Sequence, residues 1–196
     1  MDEMKSAYER AMERADSLGK ASEDDLAKWK YIPEGEKLAA RYLKEEYDIS
    51  TELGKYDDKA RKYVLEGAQG ILIRNIDLPR NEFTKKRNKM VMEAIKELKR
   101  DKVGIENVYT KLRRLFSHYE KEGEQQRRQT YEAVRRDYEA KLMQAAQQQL
   151  GTATPPKVNV ESQPQFQQEW RAVMAQLDSQ YLRLLDEYKK EILNVR

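Results

Sequence analysis

Apolar residues recur every three or four positions along almost the whole of this chain, a period that a helix can bury on one face and a strand cannot. The plainest case is the final stretch, where Phe166, Trp170, Val173, Leu177, Tyr181, Leu184, Tyr188, Ile192 and Val195 are separated by steps of 4, 3, 4, 4, 3, 4, 4 and 3. Each 4, 3, 4 set spans eleven residues, a repeat that favours a straight or slightly right-handed pairing over a left-handed supercoil.

The same period parses the rest. Met4, Tyr8, Ala11, Met12, Ala15 and Leu18 predict a helix over residues 2–18 with Gly19 as its C-terminal cap. Ser22 followed by Glu23, Asp24 and Asp25 reads as an N-cap with an acidic first turn, opening a short helix that carries Trp29 as a core anchor and stops before Pro33. A restart at Pro33-Glu34-Gly35 places Leu38, Ala39, Tyr42, Leu43 and Tyr47 on a stripe ending near Asp48, with residues 50–54 as a connector. Ala60, Tyr63, Val64, Gly67, Ala68, Ile71 and Leu72 then mark the central helix of an N-terminal bundle. A glycine inside a helix costs about 1 kcal/mol against alanine, so Gly67 on the apolar face is expected to admit a closely approaching neighbour. Residues 75–79 interrupt the pattern, Asn81 caps a helix to about Arg100, and residues 101–104 form a turn. From Ile105 the chain reads as one helix to Gln149, because no proline follows until Pro155.

Charged residues make up 37% of the 196 residues, against about 25% in ordinary globular chains, and hydrophobic residues 39%. Three phenylalanines stand against twelve tyrosines, whose polar tips suit the edge of a thin core. The chain length fits one small domain with an appended arm. If residues 105–149 and 166–195 are helices of about 67 and 45 Å, and the chain doubles back between them, facing positions have numbers summing to roughly 315. That register sets Ala145 on Trp170, Leu142 on Val173, Tyr138 on Leu177, Tyr131 on Leu184 and Gly123 on Ile192. It leaves residues 105–119 free to join the N-terminal bundle. The expected fold is therefore all-α: a helical bundle over residues 1–119, and a long antiparallel, coiled-coil-like two-helix arm over 120–196 with a proline-containing tip at 151–165. A homodimer paired through the C-terminal helix is the competing arrangement.

The residues present exclude several chemistries. With no cysteine there is no disulfide, thiolate metal site or cysteine nucleophile. The single histidine, His118, has Leu115 three positions before it, so the Glu-x-x-His pairs of a di-metal bundle are missing, and it reads as a boundary residue. No phosphate loop, dinucleotide fingerprint, nucleophile elbow or zinc-protease motif occurs. Gly67-Ala68-Gln69-Gly70 lies inside a helical pattern rather than after a strand. Neighbouring carboxylates such as Asp24-Asp25, Glu45-Glu46 and Asp57-Asp58 point in different directions on a helix and read as solvated faces and caps. No catalytic residue, cofactor or metal is expected. The start, Met1-Asp2-Glu3-Met4-Lys5, lacks the pattern of a signal peptide, and no apolar run approaches membrane-spanning length, so the expected setting is cytoplasmic with no membrane partner.

Two features point to partners. Residues 80–114 carry 12 basic and 5 acidic side chains, a net charge of +7 within a chain of net +3. On a helix Lys85, Lys89, Lys96 and Arg100 share one stripe, with Lys99 close by, and Lys111, Arg113 and Arg114 on the next helix widen it. Such a stripe is the footprint of a phosphate-backbone binder, although Glu93 and Glu97 dilute it and no aromatic is interleaved to stack bases. The second feature is the tip, where Pro155, Pro156, Lys157, Val158 and Val160 form an extended, alternating segment suited to adding to a partner's sheet edge.

Finally, Lys5-Ser6-Ala7-Tyr8-Glu9, the run from Tyr31-Ile32-Pro33-Glu34-Gly35 to Arg41, and Gly67-Ala68-Gln69-Gly70-Ile71 resemble an uncharacterised bacterial family of short helical proteins. The resemblance lies mainly in residues 1–100 and implies a bacterial cytoplasmic setting with no known activity. The reading from sequence is a non-enzymatic helical interaction or scaffold protein that binds a protein partner through its arm or tip. The alternative is a nucleic-acid- or ribosome-associated protein that uses the stripe at residues 85–114.

Overall fold

The structure, a computed structural model, describes residues 22–45, 47–150 and 159–195. The helix expected at residues 2–18 and the tip residues Pro155, Pro156, Lys157 and Val158 lie outside this range. Every regular element among the described residues is helical: α1 Glu23–Tyr42, α2 Ile49–Leu53, α3 Asp58–Arg74, α4 Glu82–Leu98, α5 Lys102–Glu120, α6 Glu122–Leu150, a 3₁₀ turn Val160–Ser162, and α7 Pro164–Asn194. The protein is all-α. It divides into two compact units, residues 1–72 and 73–196.

In the first unit Ser22 caps α1 as the sequence predicts, its hydroxyl accepting from the Asp25 N–H while the Asp25 carboxylate accepts from the Ser22 N–H. The helix does not stop at Pro33, however, but runs through it to Tyr42. Proline removes one hydrogen bond from a helix interior, and here packing two residues further on offsets that loss. A Cβ built on Gly35 would lie 1.9 Å from the Val64 carbonyl oxygen, and one on Gly67 would lie 2.1 Å from the Ile32 carbonyl oxygen. The two glycines thus let the α1 and α3 backbones touch at a double contact, with Ala39, Val64 and Ala68 fully buried around it. The close approach expected at Gly67 is present, and Gly35 is its other half rather than a chain restart. Trp29 is not a core anchor, because it is 69% exposed. The stripe ends at Tyr42 because the chain folds back, and the Tyr47 hydroxyl donates to the Leu38 carbonyl at 2.6 Å. Residues 49–53, expected as a connector, form the short helix α2, whose N-cap Asp48 accepts from the Ser50 and Thr51 N–H groups and which buries Ile49 and Leu53.

In the second unit the connector between α3 and α4 is buried, with Ile76 and Leu78 fully inaccessible. A buried connector needs partners for its backbone polar groups. Asn88 supplies them: its Oδ1 accepts from the Asp77 N–H at 3.0 Å and its Nδ2 donates to the Asp77 carbonyl at 2.6 Å. Asn81 caps α4 through the Thr84 N–H, and Asp101 caps α5 through the Gly104 N–H. The single helix expected from Ile105 to Gln149 is interrupted at Lys121, where ψ falls to −76°.

α6 and α7 run antiparallel, but not in the predicted register. Tyr131 packs edge-on against Phe166 and Trp170, Tyr138 against Phe166, and Tyr119 against Tyr181, with ring centroids 5.0–5.8 Å apart. Contacting pairs therefore sum to about 300 rather than 315, a slip of roughly 15 residues or about 22 Å of helix. The aromatic cluster sets the register, whereas the equal-rise estimate centred the turn on the proline segment. Gly123 accordingly faces the Tyr181 hydroxyl, 3.0 Å from a built Cβ, and not Ile192. The slip carries α7 past Tyr119 and along α5, where Lys111 pairs with Glu191 at 2.8 Å, so residues 105–119 are not left free of the return helix. α7 buries Phe166 and Ile192 from the predicted stripe, together with Asp178 and Leu185, which the stripe omitted.

Candidate functional site

α4 and α5 are antiparallel, with Lys85 paired to Glu120 at one end and Lys96 to Glu106 at the other. Between them lies a groove of about 480 Å³. Its floor is Pro79, Met92, Tyr109 and Phe116, and its rim carries Lys85, Lys89, Lys96 and Arg113 interspersed with Glu93, Glu106 and Glu120. The floor is held by the Tyr109 hydroxyl, which donates to the Met92 carbonyl at 2.8 Å; burial pushes the Tyr109 phenol well above the usual tyrosine range.

The rim is internally neutralised. Lys85 bridges Glu120 and Glu82 at 2.7 and 2.6 Å, and these hydrogen bonds raise its pKa. Glu106 accepts from Lys96 at 2.9 Å and from Arg113 at 2.7 Å, and both bonds hold its carboxyl below the usual glutamate range. Lys111 is tied to Glu191. Lys99 leaves the stripe altogether. It is 5% exposed, and its Nζ donates to the carbonyls of Val195 at 2.7 Å and Leu193 at 3.3 Å, capping the C-terminus of α7. Burial lowers its pKa. Of the predicted stripe, Lys89, Arg100 and Arg114 are exposed and make no ion pair among the described residues. Only Lys89 lines the groove, beside Glu93, which is likewise without an ion pair among those residues.

A second groove, of about 630 Å³, lies where α5 and α6 meet α7. Leu115, Val173, Leu177 and Leu184 give it apolar walls, and Gln126, Gln176 and Gln180 its polar edge. His118, at the exposed boundary as expected, shares a hydrogen bond of 2.9 Å between its Nδ1 and the Tyr181 hydroxyl. Nearby, the buried Asp178 accepts from Arg80 at 3.0 Å through Oδ2, while its Oδ1 has no hydrogen-bond partner. Arg127 lies over the Tyr119 ring at 4.0 Å and donates to the Tyr119 carbonyl.

Of the five tip residues predicted to bind a partner, Val160 alone is described, and it does not form an extended edge. Val160 is buried at 8% exposure in the 3₁₀ turn, and Glu161 beside it accepts from the Tyr131 hydroxyl at 2.9 Å. Val160 is therefore not available for strand addition. No cluster of three or more His, Asp or Glu side chains suited to a metal ion occurs among the described residues, and no described helix is long and apolar enough to cross a membrane.

Sequence reasoning missed Asn88, Asp178 and the hub role of Glu106. Asn88 left a trace, as a polar residue three before Val91 and seven before Ile95 on the face that α4 buries. No curated protein and no solved structure matches the chain. A family model matches residues 50–194, reaching from α2 to the end of α7 and so containing both grooves, whereas the resemblance read from sequence lay mainly in residues 1–100. The chain belongs to DUF6657, a family of unknown function.

Proposed function

We propose that this protein is a non-enzymatic helical interaction module that binds a protein partner, with the α4–α5 groove as its docking surface. The observation that carries this reading is the combination of an apolar floor with a rim of both charge signs. A phosphate backbone is bound by cations free to displace its counterions, yet Lys85, Lys96, Lys111 and Arg113 are already paired with glutamates and Lys99 is buried. A protein segment suits such a rim better. The fitting partner is an amphipathic helix that lays aliphatic or aromatic anchors on Met92 and Phe116. On its flanks a carboxylate would meet Lys89 and a basic residue would meet Glu93.

The test is capture of binding partners from cell extract by the full chain, with and without nuclease, alongside Phe116→Asp. Phe116 is half-buried on the groove floor, and circular dichroism of Phe116→Asp checks that the helical fold is kept. Capture of a defined protein that survives nuclease and is lost in Phe116→Asp supports the reading. Capture that disappears with nuclease, and weakens when Lys89, Arg100 and Arg114 become Gln, overturns it in favour of the phosphate-binding stripe.

A further inference from the structure

The second groove differs from its surroundings in charge. The chain is 37% charged, yet none of the residues lining the groove is a lysine, arginine, aspartate or glutamate. Val173, Leu177 and Leu184 are half-buried after α7 has packed on α5 and α6, and the exposed Gln126, Gln176 and Gln180 frame them.

We propose that this groove is a two-fold self-association surface occupied by the α7 face of a second copy of this chain. An isologous contact sets a patch against itself, so any charge on it near the axis meets its own like charge. A patch without lysine, arginine, aspartate or glutamate escapes that repulsion, and its one imidazole, His118, shares a hydrogen bond with the Tyr181 hydroxyl. Glutamine amides carry both donors and acceptors and so can pair with their own copies. Other occupants fit less well. A phosphate backbone finds no cation here, a charged peptide finds no counter-charge, and a lipid surface would strip water from three amides. The net charge of +3 adds little long-range repulsion between copies. Stable interfaces engage roughly 20–30 residues a side, more than this groove presents, so association is weak.

Gln180 lies near the middle of the α7 residues that line the groove, 173–184, and so close to the proposed axis. Sedimentation equilibrium of the full chain from about 5 to about 500 µM should show monomer passing to dimer. Gln180→Glu and Gln180→Lys, both at an exposed position that leaves helicity unchanged by circular dichroism, should each raise the Kd about tenfold or more, and an equimolar mixture of the two should restore it. A chain that stays monomeric over the whole range overturns the proposal. So does a dimer insensitive to both changes, or a mixture no tighter than either variant alone.

Discussion

Adding a methyl group at Gly67 should do more damage than removing an indole at Trp29. The Gly67 Cβ would meet the Ile32 carbonyl oxygen at 2.1 Å, and backbone cannot swing aside as a side chain can. Gly67→Ala is expected to destabilise the first unit by about 2–3 kcal/mol in urea unfolding followed by circular dichroism. At Gly123 the nearest atoms, 3.0 Å away, are the tips of Arg127 and Tyr181, which can give way. There the same substitution should change stability by less than about 0.5 kcal/mol, as should Trp29→Ala, given the exposure of the indole. The partial legibility of these residues has a physical cause. A glycine within an apolar stripe announces close packing, as Gly67 did. Gly35 follows a proline by two residues, and proline masked the helix that runs through it.

At the scale of the element, Asn88 holds a buried connector to α4. Asn88→Leu leaves the Asp77 N–H and carbonyl without partners, and at about 1–3 kcal/mol for each such group the expected loss is about 2–6 kcal/mol, again read from urea unfolding. On the rim of the α4–α5 groove, Glu106 has a folded pKa below its unfolded one. The unfolded chain therefore takes up this proton first as pH falls, so the contribution of Glu106 is present at neutral pH and is lost from about pH 4.3 downward through the lowered folded pKa. Glu106→Gln should flatten that part of the acid limb when unfolding is compared at neutral pH and at about pH 3.5. Caps were legible because they are local: Ser22 and Asn81 do what their neighbours in sequence predict. The α6–α7 register was not, because it is decided by where Tyr131 and Tyr138 trap Phe166 and Trp170, and rise per residue says nothing of that. The basic stripe failed as a simple patch for a related reason. Helical geometry places Lys99 near Lys96 and Arg100, but the carbonyls that bury it lie 94 and 96 residues away.

Across the second unit as a whole, long-range polar ties join α7 to elements laid down much earlier in the chain. Arg80 and Asp178 are separated by 98 residues, and the pair is asymmetric, with side chains 47% and 7% exposed. A double-mutant cycle of Arg80→Ala and Asp178→Leu should return a coupling of about 0.5–3 kcal/mol, because Arg80→Ala alone strands a buried carboxylate that the double variant no longer contains. Such ties also order events in time. Lys99 needs the carbonyl of Val195, made 96 residues later, and at about 5–20 residues per second that is a wait of roughly 5–20 s during synthesis. Until then its ammonium stays hydrated, and the α4–α5 pair leaves the ribosome with one end open, to be closed only when residues 193–195 arrive.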